Sequence, residues 1–171
     1  MRLVIYKHLV IDKDRPLVFL DMDGVFNGGF QHEHYDTLYR DDIMVRPSHR
    51  GDYVLKSIAL PVMRMLKEAH AQVILVSSWF SSMIDGDHPQ AEEFLDMFGI
   101  LPLGSLETSG GDIRGKGVSE CLAATRHPNW IIVDDCGHFY PQPSLAVTRL
   151  VVPSGRYGMQ GQDIEALKRL L

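Results

Sequence analysis

Two aspartates two residues apart follow an apolar segment near the start of the chain, within Val18–Val25 (VFLDMDGV). Side chains at positions i and i+2 of an extended segment lie on the same side, so Asp21 and Asp23 can face one reacting group. Gly24 permits a sharp change of backbone direction that would let a phosphate approach closely. The arrangement therefore fits phosphoryl chemistry, although a turn with solvated acids would have the same residues.

A calcium-binding loop of the EF-hand type also begins with Asp-x-Asp. In this chain Phe26, Asn27 and Gly28 do not continue the alternating acidic ligands, and the twelfth loop position holds no Glu. Because that loop needs those ligands, the sequence disfavours calcium.

Two further apolar segments end in polar residues that phosphoryl chemistry could use. Val73–Ser77 (VILVS) ends in Ser77, followed by Ser78, and a hydroxyl there could bind a phosphoryl oxygen. Alternatively, Ser77 would only cap a following helix. Ile131–Asp135 (IIVDD) ends in two adjacent acids, which suit Mg²⁺ because this ion takes one or two carboxylates together with substrate oxygens and water.

Lys116 lies between these segments, at the start of a predicted helix. It could place a cation against the same phosphoryl oxygens, and a solvated surface lysine is the alternative. The glycine-rich stretch around it, at 110–117, has no Walker spacing, since Val118 rather than Ser or Thr follows Gly117. An NTP-binding P-loop is therefore excluded.

Alternating strands and helices must position these residues. The clearest predicted strands are short, apolar and typical of central strands buried on both faces: Leu17–Asp21, Gln72–Ser77 and Trp130–Asp134. Weaker strand candidates are Leu3–Val10, Leu101–Leu103 and Ala146–Val152, and helices are predicted at Pro61–Ala69, Pro89–Phe98, Lys116–Arg126 and Gln162–Leu171. This alternation predicts an α/β fold, a Rossmann-like three-layer sandwich with a mostly parallel central sheet, which binds ligands at the carboxyl edge.

A segment at about 26–56 breaks the alternation and is predicted to form an irregular flap or small cap. Its basic residues, Arg40, Arg46, His49 and Arg50, form either a solvated face or a site for a second phosphate or a nucleic-acid backbone. His32 and His34 lack a third ligand at convincing spacing, which disfavours a transition-metal site.

Length and composition favour one domain spanning residues 1–171. With 171 residues, 45% hydrophobic and 23% charged, the chain can bury a real core, and global disorder or a coiled coil is excluded. The formal net charge of −5 gives no chain-wide positive field for nucleic acid. Two cysteines are too few for a disulfide framework, and no secretory or membrane-spanning segment is evident, so we expect a cytoplasmic protein that binds no membrane.

In this order, the motifs VFLDMDGV, VILVS, Lys116 and IIVDD resemble those of the haloacid dehalogenase-like (HAD) hydrolase superfamily. The resemblance covers about Leu17–Val152. In addition, Gly158-Met159-Gln160 before the final helix is similar to the Gly-Leu-Thr element of HAD domains associated with RNA-repair proteins.

The resemblance implies a role for each motif residue. Asp21 would attack phosphorus to form an aspartyl-phosphate, and Asp23 would protonate the leaving oxygen and then deprotonate the hydrolytic water. Ser77 and Lys116 would hold the phosphoryl oxygens.

The resemblance also implies a bound Mg²⁺ between Asp21, the backbone carbonyl of Asp23 and the last motif's acids. Asp135 is the favoured direct ligand and Asp134 the alternative. Many family members carry another acid a few residues later, and this chain has Cys136 and Gly137 there instead.

These implications predict a Mg²⁺-dependent phosphomonoester hydrolase. Its substrate would be a phosphorylated small molecule, a nucleotide or a nucleic-acid end, bound with help from Gly24, Ser78, Arg46 and Arg50. A phosphotransferase or mutase would use the same motifs, and a non-catalytic phosphate-binding module would keep the fold. Oligomeric state stays open.

Overall fold

The computed structural model describes residues 3–5, 10–28, 41–45, 54–77, 97–106, 111–141 and 149–171. Within these ranges the strands are β1 (Leu3–Ile5), β2 (Leu17–Leu20), β3 (Ile43–Val45), β4 (Val54–Leu55), β5 (Gln72–Leu75), β6 (Gly104–Leu106), β7 (Trp130–Val133) and β8 (Leu150–Val151). The helices are α1 (Lys56–Glu68), α2 (Gly111–Thr125) and α3 (Gly161–Leu170), with a 3₁₀ turn at Gly137–Phe139.

The main sheet has the order β1-β6-β5-β2-β7-β8. The five strands β6, β5, β2, β7 and β8 run parallel to one another, and β1 pairs antiparallel with β6 at one edge. The mostly parallel α/β sheet predicted from the sequence is therefore confirmed. Because Leu20 pairs with both Leu75 and Val133, the central strand and its two neighbours end level with one another.

Side chains of the central strand alternate between two hydrophobic layers, as expected for a strand with period two. Leu17 and Phe19 belong to the layer that also contains Val118 and Cys121 of α2. The layer on the opposite face contains Val18 and Leu20, with Ile58, Val62 and Leu66 from α1 and Leu167 from α3. The sheet is thus covered on both faces, and each fully buried Leu or Phe contributes about 1.5–3 kcal/mol to the free energy of unfolding.

Helix α1 begins at Lys56, five residues before the predicted start at Pro61, which lies inside the helix. The helix begins earlier because Asp42, which lies outside it, caps its N-terminus. The Asp42 carbonyl accepts a hydrogen bond from Lys56 N (2.7 Å), and its carboxylate accepts one from Ser57 N (2.8 Å). Two N–H groups that would otherwise lack a partner are satisfied, which lets the helix extend toward the N-terminus.

Other boundaries also differ from the prediction. Strand β6 lies at Gly104–Leu106 rather than Leu101–Leu103, although Leu103 N still donates to Val73 O (2.7 Å). Helix α2 begins at Gly111 rather than Lys116, and α3 is shifted by one residue. The described parts of the strands predicted at Leu3–Val10 and Ala146–Val152 are the shorter β1 and β8. The helix predicted at Pro89–Phe98 lies outside the described residues except for 97–98, which are in a turn.

The segment predicted as an irregular flap, at about 26–56, contains regular structure where it is described. Strands β3 and β4 pair antiparallel, with Ile43 opposite Leu55, and form a separate two-stranded sheet. Leu55 N donates to Phe26 O (2.9 Å), which ties β4 to the loop after β2. Residues 29–40 and 46–53 lie outside the described part.

No helix in the described ranges has the length and apolar character needed to cross a membrane.

Candidate active site

Four predicted residues follow the three central strands at the carboxyl edge of the sheet. Asp21 comes directly after β2, Asp134 and Asp135 directly after β7, and Ser77 two residues after β5. Asp21, Ser77 and Asp134 are buried, whereas Asp135 is half-buried. Since these strands are hydrogen-bonded neighbours, the fold places the four residues side by side.

Hydrogen bonds orient the Asp21 carboxylate. Its Oδ1 accepts a hydrogen bond from Met22 N (2.8 Å), and its Oδ2 accepts one from Arg114 Nη1 (2.7 Å). Burial raises the pKa of Asp21 and nearby Asp134 raises it further, whereas Arg114 and hydrogen bonds from Met22 and Ser77 lower it. A further cation at the site would favour the ionised form.

Asp134 is fully buried and surrounded by donors. Its Oδ1 accepts from Cys136 N (2.8 Å), and its Oδ2 accepts from both Arg114 Nη1 and the Tyr140 hydroxyl, each at 2.7 Å. Burial and the adjacent carboxylate raise the pKa of Tyr140, so this hydroxyl remains a donor. Asp134 is therefore held as the partner of Arg114 and Tyr140.

Arg114 joins the two strand ends, because Nη1 contacts both Asp21 and Asp134. Burial would lower the pKa of Arg114, but the two carboxylates raise it above its ordinary value, so the group stays charged. Its guanidinium also lies over the Phe139 ring, 5.1 Å from the centroid. No other ion pair to these two acids occurs within the described ranges.

The structure does not bring Lys116 to this cluster, contrary to the sequence-based expectation. Its side chain is 70% exposed, and Nζ lies 3.8 Å from Glu120 of the same helix. Because α2 begins at Gly111, Arg114 and Lys116 are both helical, and residues two apart lie about 200° apart around a helix. When Arg114 faces the sheet, Lys116 must face away.

Arg114 and Tyr140 were not predicted from the sequence as site residues. The signal for Arg114 was a glycine on either side of Lys116, at Gly115 and Gly117. A Cβ at Gly115 would overlap Phe139 O, so the helix approaches the 3₁₀ turn this closely because residue 115 is a glycine. The glycine thus marks the face of α2 that lies against the site.

Asp23 lies in the turn after Asp21 and is more accessible than Asp21. Asn27 Nδ2 donates to Asp23 Oδ1 (3.1 Å), and Asn27 Oδ1 accepts from Gly24 N (2.8 Å). Gly24 has a φ of 68°, a conformation that favours glycine. Asn27 therefore fixes the turn and holds the half-buried Asp23 carboxylate.

The Asp135 carboxylate lies between two glycines. A Cβ on either Gly24 or Gly155 would overlap Asp135 Oδ2. Burial raises the pKa of Asp135, with further raising effects from Asp134 and Asp23. The acid is thus confined to one narrow space close to the other acids.

Asp134, Asp135 and Cys136 each place one potential ligand atom within 4.8 Å of the others. Burial and the neighbouring Asp135 raise the pKa of the Cys136 thiol to about 12, so it is not a ready metal ligand. The oxygen atoms of this group suit a hard cation such as Mg²⁺.

Three predicted substrate-binding residues, Ser78, Arg46 and Arg50, lie outside the described residues, as do Arg40, His49, His32 and His34. Gly24, the fourth, lies in the turn beside Asp135.

Residues 17–164 match the family described as the HAD domain in Swiss Army Knife RNA repair proteins. The chain belongs to this family. The match includes the central strands, the segment that leads into α3 and the four acids of the site, Asp21, Asp23, Asp134 and Asp135. Comparison with curated proteins and with solved structures gives no significant match.

The Gly-Met-Gln element of this HAD domain packs against the loop after β2, which carries Asp21 and Asp23. Met159 N donates to Val25 O (2.9 Å), and a Cβ at Gly158 would lie 3.0 Å from the same oxygen and 3.1 Å from Asn27 O. Gly158 has a φ of 69°. Both the close approach and the backbone conformation require glycine, so this element supports the turn that carries Asp23.

Proposed function

We propose that this HAD domain is a Mg²⁺-dependent phosphomonoesterase that acts on nucleotides or nucleic-acid ends. The observation that carries the proposal is the placement of Asp21. Its carboxylate is oriented at the end of the central strand by Met22 and Arg114, with the half-buried Asp23 two residues later. A carboxylate fixed in position can attack phosphorus to form a covalent intermediate, and a second acid beside it can exchange protons with the leaving oxygen and with water.

In the first step an Asp21 oxygen forms a bond to phosphorus while the bond from phosphorus to the leaving oxygen breaks. Asp23 gives its proton to that leaving oxygen. In the second step Asp23 takes a proton from water, whose oxygen attacks phosphorus and releases phosphate and the Asp21 carboxylate. Arg114 keeps the Asp21 carboxylate in position through both steps.

The residues present fit a magnesium site. Asp21, the backbone carbonyl of Asp23 and Asp135 would hold the ion. Asp134, which is fully buried and accepts hydrogen bonds from Arg114, Tyr140 and Cys136 N, would instead fix the position of Arg114. Bound Mg²⁺ would withdraw charge from the transferring phosphoryl group. Asp135 would supply its oxygen from the space between Gly24 and Gly155.

The substrate class is proposed from the family, whose description refers to RNA repair. The test is phosphate release from 3′- and 5′-phosphorylated RNA oligonucleotides, nucleotides and sugar phosphates, with Mg²⁺ or with EDTA. We expect Mg²⁺-dependent release that is fastest on nucleotide or RNA substrates. Transfer to an added alcohol acceptor that exceeds release would establish the phosphotransferase instead, and phosphate binding without turnover would establish the binding module.

The Gly155→Ala substitution should weaken Mg²⁺ activation, because its Cβ would displace Asp135 Oδ2. We expect the Mg²⁺ concentration at half-maximal phosphate release to rise by about 10–100-fold, the range typical when a metal ligand loses its orientation. The matched control is Gly161→Ala, since a Cβ at Gly161 has nothing within 4 Å, and both variants are measured on ribose 5-phosphate, which has no base. Equal Mg²⁺ dependence in the two variants would contradict the assignment of Asp135 as a ligand.

A further inference from the structure

We propose that the turn carrying Arg156 and Tyr157 binds the base of a nucleotide whose phosphate lies at Asp21. This inference rests on the proposed function and names the part of the substrate recognised beyond the phosphate. Its basis is a cleft of about 360 Å³ that Tyr157 lines together with Asp42 before β3, Leu55 of β4, Ser57 and Ile58 of α1, and residues 159–161 where α3 begins.

The cleft lies at the same edge of the sheet as the four acids. The connection between two parallel strands leaves the carboxyl edge of the sheet and returns to the amino edge, and α1 is part of the connection from β2 to β5. The start of α1 at Lys56 and the start of α3 at Gly161 both border the cleft, and Leu55 N contacts Phe26 O in the loop after β2. A molecule bound at the acids can therefore reach the cleft without crossing the sheet.

Chain length limits the distance between the two sites. Gly155 lies against Asp135 Oδ2, and Tyr157 is only two residues further along the chain. Two residues span at most about 7 Å, so the Tyr157 backbone lies within roughly one nucleotide length of the metal-binding acid.

The turn is rigid although its side chains are exposed. Ser154 O accepts hydrogen bonds from Tyr157 N (2.9 Å) and Gly158 N (2.8 Å), and Gln160 Nε2 donates to Tyr157 O (3.0 Å). A ring presented on a fixed backbone loses little conformational entropy on binding a planar ligand.

The chemistry of the turn favours a nucleobase. Tyr157 is 56% exposed, and the Arg156 guanidinium lies 5.4 Å from its ring centroid. An aromatic ring beside an arginine is the combination that single-stranded nucleic-acid sites use, the ring stacking on a base and the cation accompanying a phosphate. The cleft is at the small end of the range for ligand sites, a size suited to one planar group.

The test compares Tyr157→Ala with Tyr157→Phe on two substrates, a 5′-phosphorylated RNA oligonucleotide and ribose 5-phosphate, which has no base. For Tyr157→Ala we expect KM for the oligonucleotide to rise about 5–150-fold, the effect of losing one stacked base, with KM for ribose 5-phosphate unchanged. Tyr157→Phe keeps the ring and should resemble the parent. Leu101→Ala is the control for loss of an exposed apolar side chain, since Leu101 is 74% exposed.

A binding measurement separates failure of this inference from failure of the proposed function. Fluorescence anisotropy with a labelled phosphorylated RNA dinucleotide is made on Asp21→Asn alone and on Asp21→Asn with Tyr157→Ala. Weaker binding by the double variant supports base stacking even if the parent releases no phosphate. Equal binding, no binding by either protein, or equal changes in KM on both substrates would overturn the inference.

Discussion

Replacing Asp21 with Asn is expected to lower the rate of phosphate release by at least about a thousandfold, the scale seen when a nucleophile is removed. An amide oxygen is a poor nucleophile, so the bond to phosphorus cannot form. The shape of the side chain is kept, and its Oδ1 can still accept from Met22 N. The measurement is phosphate release under saturating Mg²⁺, with thermal unfolding recorded on the same samples.

The matched control for this variant is Asp14→Asn, the same change at an exposed position before β2. It should leave both phosphate release and the unfolding temperature unchanged. Activity retained in Asp21→Asn would mean that water attacks phosphorus directly. Because Asp21→Asn also removes the ion pair between Asp21 Oδ2 and Arg114, phosphate release is compared at a temperature at which both variants are fully folded.

Replacing Arg114 with Ala is expected to lower the free energy of unfolding by about 3–5 kcal/mol and to remove most of the activity. The substitution leaves Asp21 and Asp134 buried without the cation that contacts both at 2.7 Å, and breaking a buried ion pair on one side has a cost of this size. The Asp21 carboxylate also loses the donor that orients it. Chemical denaturation measures the first effect and phosphate release the second.

Lys116→Ala is the matched control, because it removes a cation two residues away on the exposed face of the same helix. Its free energy of unfolding should change by no more than about 0.5 kcal/mol. Arg114→Lys separates charge from shape, since an ammonium keeps the charge but lacks the planar guanidinium. If Lys116→Ala lost activity while Arg114→Ala kept it, the result would contradict the role of Arg114 and support Lys116 as the residue that binds the phosphoryl oxygens.

The central strands and the acids that follow them could be predicted because their signals are local. Apart from Gln72 at the start of β5, strands β2, β5 and β7 are apolar runs, as a strand buried on both faces must be. Four of the predicted polar residues come within two positions of a strand end: Asp21, Ser77, Asp134 and Asp135. Parallel order then brings Asp21, Ser77 and Asp134 to one edge of the sheet, since β2 lies between β5 and β7.

Features that depend on distant contacts could not be predicted. Helix α1 starts early because Asp42, fourteen residues before Lys56, caps it from outside. The choice between Arg114 and Lys116 depends on where α2 begins and on a glycine that fits against Phe139 O. The apolar periodicity of the sequence shows neither where α2 begins nor which residue contacts Phe139 O. Tyr140 likewise contacts Asp134 only because the 3₁₀ turn at Gly137–Phe139 reverses the chain.

The most direct measurement of the central claim is mass spectrometry of protein quenched in acid during turnover of a phosphorylated nucleotide with Mg²⁺. Trypsin is expected to release residues 14–40 as one peptide, because Pro16 protects the bond after Arg15 and no Lys or Arg occurs between Arg15 and Arg40. Because an acyl phosphate hydrolyses at the pH of a trypsin digest, the quenched protein is first reduced with borohydride, which converts an aspartyl-phosphate to homoserine. We expect fragmentation of this peptide to show homoserine at position 21, and none in Asp21→Asn. Rapid phosphate release with no homoserine at position 21 would contradict the account.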